Sequence, residues 1–298
     1  MSEPVLFTQP ACPVVNALTF DIEDYFMVSA FSDRVPLETW GNHESRVARN
    51  TDKILDILDT HEVKATFFVL GWVAERFPGI VRRIQEEGHE IGCHSYIHRL
   101  VNQMTPETLR EDTRKAKELL EDVSGAEVIG YRAPSFSITG DSMWAIDLLI
   151  ELGFRYDSSI FPVRHDRYGI PGFSRSAGFI ERAGKGAIFE VPLSTVRFLG
   201  VNVPFGGGGY LRLYPALLTE WGIRHLNTEE GRPSVVYIHP WEIDPGQPRL
   251  RGSAVSVFRH YVNLESTEMK LIRLLDRFRF APVREVFRPS LNGKPSVH

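Results

Sequence analysis

The sequence lacks most of the features that would set it apart from an ordinary globular protein. Two cysteines in 298 residues, Cys12 and Cys93, cannot build a disulfide framework. Cys93 lies in an apolar run, where a small core residue is expected. No apolar stretch reaches the roughly 20 residues of a membrane-crossing helix. Residues 1–15 contain no basic segment followed by an apolar one, so no secretory signal is expected and the cytoplasm is the expected location. Positive charge is not in excess: 34 Lys and Arg against 38 Asp and Glu leave a net charge of −4. That argues against the basic face a nucleic-acid partner requires. Internal repeats and low-complexity runs are also missing. Four consecutive glycines at 206–209 lack the Lys-Ser/Thr of a phosphate loop and read as a flexible or close-approach loop.

What is present is an alternation of strand and helix patterns, with the 43% apolar content a sizeable core needs. Ala17-Leu18-Thr19-Phe20 reads as a buried strand running into Asp21, and residues 64–70 as a second. Between them Ile54, Leu55 and Leu58 keep helical spacing within 47–61. Pro78 opens a helix that stops at Gly88, and 89–93 is a short strand leading straight into His94. Thr105-Pro106 predicts an N-cap and first helical residue for a helix reaching Ser124-Gly125. Strands are expected at 128–131, 154–157, 188–191 and 235–239, and helices at 143–152 and 213–226. Strands alternating with helices over about 240 residues argue for a barrel of βα units. From residue 245 the pattern changes. A Pro/Arg-rich segment at 245–251, a helix near 267–277 and a short strand near Val283 read as an appended subdomain.

Four ordered segments carry the chemistry: Asp21-Ile22-Glu23-Asp24, His94-Ser95-Tyr96-Ile97-His98, Arg132-Ala133-Pro134 and Tyr237-Ile238-His239. They fall at the C-terminal ends of successive strands, where α/β barrels and open parallel sheets build their sites. Two imidazoles, a group of carboxylates, a fixed cation and a distant histidine form the inventory of a mononuclear metal hydrolase. His94 and His98, four residues apart, would share one face of a helical turn. Metalloproteases of the HExxH type use this spacing, but Ser95 stands where their Glu would be, so a base must come from elsewhere. Alternation puts Asp21 and Glu23 on one face of the strand, so one could bind metal while the other stays free as base. Arg132 could hold the free one through a bidentate contact. His239 could protonate a leaving amine, and Asp157, in Tyr156-Asp157-Ser158-Ser159, could pair with it and raise its pKa. Each feature alone has a plainer explanation: two surface histidines, an acidic turn, a surface ion pair, a buried structural histidine, an Asp capping its own turn. Their joint occurrence favours a site.

In order, the run 17–21 and the segments HSYIH, RAPS, YDSS and YIHPW resemble the motifs of the polysaccharide deacetylase (NodB homology) family, from about residue 15 to 243. Phe258-Arg259-His260-Tyr261-Val262-Asn263 resembles the extension of the subgroup associated with exosortase-linked exopolysaccharide clusters. The resemblance implies an N-terminal tail at 1–14, a distorted (β/α)7 barrel at 15–243 and a small α/β extension at 244–298 packed on it. It implies one divalent metal, usually zinc, although cobalt, nickel, manganese or iron also suits two histidines and a carboxylate. It implies hydrolysis of N-acetyl groups, less often O-acetyl groups, on an amino-sugar polymer or oligosaccharide. By motif, Asp21 is the base, His94 and His98 are metal ligands, and Arg132 orients the base. The N–H of Ser135, just after Pro134, helps hold the oxyanion, and His239 is the acid tuned by Asp157. The family's usual first motif has two adjacent aspartates, whereas Ile22 follows Asp21 here. The third ligand is then Glu23 or Asp24: alternation favours Glu23, and short reach and common ligand type favour Asp24. Tyr25, Phe26, Phe136, Tyr210 and Trp241 could stack on sugar faces or pack at the rim. The competing readings are a saccharide-binding barrel without catalysis and a metal hydrolase of a small non-sugar amide. An open aromatic groove against a closed pocket separates polymer from small molecule.

Overall fold

A computed structural model describes residues 14–166 and 168–292. Cys12 and all of the expected N-terminal tail except residue 14 lie outside the described residues. The strands, in chain order, are β1 (Val15–Ile22), β2 (Thr66–Val69), β3 (Glu90–Cys93), β4 (Gly130–Tyr131), β5 (Tyr156–Asp157), β6 (Gly178–Arg182), β7 (Gly186–Glu190), β8 (Thr195–Phe198), β9 (Val201–Pro204), β10 (Val235–Ile238) and β11 (Arg279–Ala281). The main sheet runs β10-β1-β2-β3-β4-β5-β7-β6. Every pairing from β10 to β7 is parallel, and only β6 is antiparallel, to β7. Seven parallel strands thus wrap into a distorted barrel whose wall is not hydrogen-bonded between β7 and β10 among the described residues. All of β1 except Val15 is buried, as are β2, β3 and β10 throughout. Burial on both faces is why these strands read as continuous apolar runs rather than as alternating ones.

The helices fall where caps and spacing place them, with local differences. Val47–Thr60 buries Ile54, Leu55 and Leu58. Pro106–Ser124 begins at Thr105, whose side chain accepts the Thr108 N–H, and ends at Gly125 in a left-handed conformation at φ 67°. The helix expected at 213–226 is two helices, Gly208–Leu213 and Ala216–Thr228, because Pro215 has no N–H with which to continue the first. The glycine run is a close approach: a Cβ on Gly207 would lie 2.1 Å from the Tyr237 carbonyl oxygen.

The C-terminal part does not stand apart as an appended subdomain. After the helices Ala254–Tyr261 and Leu264–Arg277, β11 pairs in parallel with the first residues of β1, Val15 with Arg279 and Ala17 with Ala281. The strand lies earlier than expected, because Pro282 has no ladder donor and Val283 opens the short helix Val283–Val286. The first N–H groups of that helix close the lower end of the barrel. Val283 N–H donates to Thr66 Oγ1 (2.8 Å) and Arg284 N–H to Glu90 Oε2 (3.0 Å). Glu90 also accepts from Thr66 Oγ1 (2.6 Å) and the Tyr156 hydroxyl (3.0 Å), and its burial pushes the carboxyl pKa upward. Deleting residues 263–292 therefore removes part of the barrel wall. The truncated chain is expected to lose its cooperative urea transition, whereas a self-standing barrel would keep one.

Candidate active site

β1 delivers Asp21 to the upper end of the barrel. Glu23 follows one residue past the strand, its N–H donating to the Asp21 carbonyl at 3.1 Å. Both side chains are 2% exposed. Arg132, just after β4, has no solvent exposure. Its Nη1 donates to Asp21 Oδ1 and to Thr19 Oγ1, both at 2.7 Å. Its Nε and Nη2 donate to the carbonyl (3.1 Å) and hydroxyl (2.9 Å) of Ser158. The contact with Asp21 is thus single, not the bidentate fork expected, because Ser158 occupies the other side of the guanidinium. Asp21 Oδ2 is left 3.8 Å from His239 Nε2.

Asp24 turns away from this group. Its carboxylate accepts from Ser45 Oγ (2.6 Å), Arg46 N–H (2.9 Å) and Val47 N–H (3.2 Å), and so caps the helix Val47–Thr60. It is occupied with backbone donors and does not join the ligand cluster, which corrects its place among the candidate ligands. Glu23, not Asp24, joins His94 and His98 in the cluster. One ligand atom from each of Glu23, His94 and His98 lies within 4.8 Å of the others.

The two histidines do not share a helical turn. The chain leaves β3 as a loop with Ser95 at φ 67°, its hydroxyl 2.7 Å from the Tyr131 hydroxyl. Asp112 accepts the N–H groups of Tyr96 (2.8 Å) and Ile97 (3.2 Å), and the turn brings the rings to 5.6 Å. His94 Nδ1 lies 2.7 Å from the Arg132 carbonyl, so its N–H points there and Nε2 is free to ligate. Burial lowers the His94 pKa to about 4, which leaves the ring neutral at physiological pH. Burial alone would raise Glu23, but the neighbouring histidines, His98 foremost, outweigh it and hold the carboxylate well below its usual range. Glu23 Oε2 sits 2.8 Å from His98 Nε2. It has no aligned hydrogen-bond partner, and neither does His98 Nδ1. Two imidazoles and a carboxylate with an orphaned buried oxygen fit one divalent ion.

His239 follows β10, and its partner is Glu242 rather than Asp157. His239 Nδ1 lies 2.8 Å from Glu242 Oε2, and the His239 N–H donates to the same oxygen at 2.9 Å. Asp157 instead accepts from Ser159 Oγ (2.5 Å) and sits in register with Glu190 on β7; burial raises both carboxyls. Burial would lower His239, but Glu242, with Glu23 and Asp21 behind it, outweighs burial and lifts its pKa to about 9. The signal missed in the sequence is the three-residue spacing His239 to Glu242, which the short turn Pro240–Ile243 folds together.

The remaining candidates divide between cleft and core. Ser135, left-handed at φ 51°, follows the buried Pro134 and lines the cleft, its hydroxyl 2.9 Å from that of Ser29. Phe136 and Tyr210 also line it. Tyr25 does not: it is 1% exposed and packs edge-on to Phe26, which stacks on His43. Trp241 also lines the cleft, 4% exposed, stacking on His239 (5.2 Å) and His260 (4.1 Å) and donating its indole N–H to Glu23 Oε1 at 3.2 Å. The cleft measures about 390 Å³, with Asp21, Glu23, His94, His98 and His239 in its lining and Phe258 and Arg259 added by the C-terminal part. A second cleft of about 270 Å³, lined by Leu37, Trp40 and Gln103, shares Ser29, His98 and Leu100 with it.

The class the geometry defines is a parallel α/β barrel that brings His94, His98 and Glu23 together beside a second carboxylate, Asp21, at its upper end. Residues 12–156 match the family model described as polysaccharide deacetylase, and residues 158–288 match one described as a domain of unknown function, DUF3473. Nearly half of the chain thus resembles polysaccharide deacetylases, and most of the remainder matches the second domain. Over 98 residues it is 42% identical to the peptidoglycan-N-acetylglucosamine deacetylase of Bacillus cereus, which is 33% of this chain and 36% of that relative. Over 84 residues it is 43% identical to the peptidoglycan-N-acetylglucosamine deacetylase PgdA of Listeria monocytogenes, 28% of this chain and 18% of that one. The chain thus spans about a third or less of the length of these relatives. Two solved structures share the fold at TM-score 0.59. A putative polysaccharide deacetylase from Mycobacterium smegmatis does so over 100% of this chain and 96% of its own at 22% identity, and Puue allantoinase over 94% and 93% at 15%.

The ligand assignment separates two neighbouring acids. Asp24→Ala is expected to keep a full complement of divalent metal by elemental analysis while losing about 1 kcal/mol of stability, the usual cost of a lost cap. Glu23→Gln is expected to lose the metal. The reverse pattern would make Asp24 the ligand.

Proposed function

We propose that the chain is a deacetylase that hydrolyses N-acetyl groups of an acetylated amino-sugar polymer or oligosaccharide. The observation that carries this reading is the pair Asp21 Oδ2 and His239 Nε2, 3.8 Å apart beside the Glu23–His94–His98 cluster in an open cleft. One group can take a proton while the other gives one, which is what amide hydrolysis requires. Zinc is the first choice for the cluster. When bound, the ion would supply a Lewis acid for the acetyl oxygen and lower the pKa of water towards about 7.

The residues of the chain do the rest. Asp21, held through its other oxygen by Arg132, takes the proton of the attacking water as it adds to the acetyl carbon. The Ser135 N–H lies on the loop that would stabilise the negative charge gathering on the carbonyl oxygen. His239, protonated at neutral pH with Glu242 on Nδ1, passes its Nε2 proton to the departing nitrogen. Acetate and a free amino sugar are released. The two clefts that meet at His98 favour an extended saccharide over a small amide, with Phe136 and Tyr210 as faces for sugar rings. The names of the matched relatives, peptidoglycan-N-acetylglucosamine deacetylases, support the same chemistry. Asp21→Asn is expected to retain metal and lower acetate release from acetylated chitooligosaccharides by about 10²–10⁴-fold, as for other lost general bases. Near-normal turnover would remove Asp21 from the base role.

A further inference from the structure

We propose that the C-terminal extension is a positioning part of the proton-donating group, acting through Arg212. This inference rests on the deacetylase reading. The residues form one buried chain. Arg212 is 3% exposed and Glu242 fully buried. Arg212 Nε donates to Glu242 Oε1 at 2.6 Å, and the other oxygen of Glu242 receives the Nδ1 and backbone N–H of His239. Arg212 in turn is gripped by residues beyond the barrel proper. Its Nη1 donates to the carbonyl of His260 at 2.6 Å, and its own carbonyl accepts from Asn263 Nδ2 (3.0 Å) and Lys270 Nζ (2.8 Å). A second grip runs beside the first. The His260 ring lies nearly parallel to Trp241 at 4.1 Å, fixed by Gln247 Oε1 at 2.9 Å from its Nε2, and Trp241 donates to Glu23.

The physical argument follows from burial. A carboxylate without access to water stays charged and in place only when paired. Arg212 is the only cation that donates a hydrogen bond to Glu242 among the described residues, apart from His239 itself. With one Glu242 oxygen fixed on Arg212, the other can hold His239 Nδ1–H and keep Nε2 turned to the cleft, 3.8 Å from Asp21 and 3.6 Å from Glu23. Arg212 touches no reacting atom; it sets which nitrogen carries the useful proton and where it points. Its own position depends on the His260 carbonyl, so the extension reaches His239 through this guanidinium.

The test compares leaving groups. Departure of a sugar amine needs the His239 proton, whereas an aryl acetate leaves as a phenolate that needs none. In the full-length protein, Arg212→Gln is expected to lower acetate release from acetylated chitooligosaccharides by about 10–100-fold, the usual effect of losing such a support. Hydrolysis of 4-methylumbelliferyl acetate should fall by less than about threefold. Arg212→Lys keeps the charge but cannot serve Glu242 and the His260 carbonyl together, and it should show the same selectivity to a smaller degree. The low-field proton resonance of His239 Nδ1–H, assigned by its loss in His239→Gln, should shift in both variants, and this readout needs no turnover. Equal losses on amide and ester, with the resonance unmoved, would overturn the proposal. A wild-type protein that releases no acetate from either substrate would instead overturn the deacetylase reading, while the resonance shift would still decide the role of Arg212.

Discussion

The structure turns on one buried cation. Arg132 has no contact with water, and a guanidinium in that position must find partners for its donors or destabilise the fold. It finds them on segments far apart in sequence: Thr19 and Asp21 on β1, and Ser158 after β5, with the ring of Phe68 on β2 under its face at 4.2 Å. Meeting that demand fixes the upper end of the barrel. The same residue also reaches the ligand cluster through its backbone. Its N–H donates to the Cys93 carbonyl and its carbonyl receives the His94 Nδ1–H, which leaves His94 Nε2 free. One residue therefore fixes Asp21 by its side chain and His94 by its main chain. The distance between the two is not left to loops.

Around this point the site is layered by burial. Glu23, Glu242 and Asp21 are acids with 2% exposure or less, each held by a cation or an indole or imidazole N–H rather than by water. Such a site holds its charges rigidly only because the elements that deliver them are packed on both faces. This accounts for the interwoven C-terminal part: β11 completes the flank of β1, and the following helix closes the floor, where Glu90 collects donors from β2, β5 and that helix.

Much of this was legible in the sequence. Apolar runs ending in Asp21, His94, Arg132 and His239 located the strand ends, since strands buried on both faces leave no alternation to misread. Caps such as Thr105 and Gly125 marked helix limits because they satisfy backbone groups locally. What stayed hidden depends on contacts between distant segments. Glu23 and Asp24 are adjacent and both acidic, and only the arrival of the 45–47 segment shows that Asp24 is used up as a cap. Asp157 carried the expected motif but faces Glu190 on the neighbouring strand, while Glu242 reaches His239 from three residues away through a turn. Period-two alternation did pair Asp21 with Glu23, yet the His94–His98 spacing suggested a helix where a left-handed Ser95 makes a loop. Nothing in its own segment announces that Trp241 stacks on His260, from the extension.

In the proposed function, Glu23, His94 and His98 hold one divalent ion beside Asp21. Anomalous diffraction at the zinc edge, from crystals of the full chain supplied with zinc, tests it most directly. A single strong peak is expected within bonding distance of Glu23 Oε2, His94 Nε2 and a ring nitrogen of His98. A peak at Asp24 or elsewhere, or none at this cluster, would contradict it.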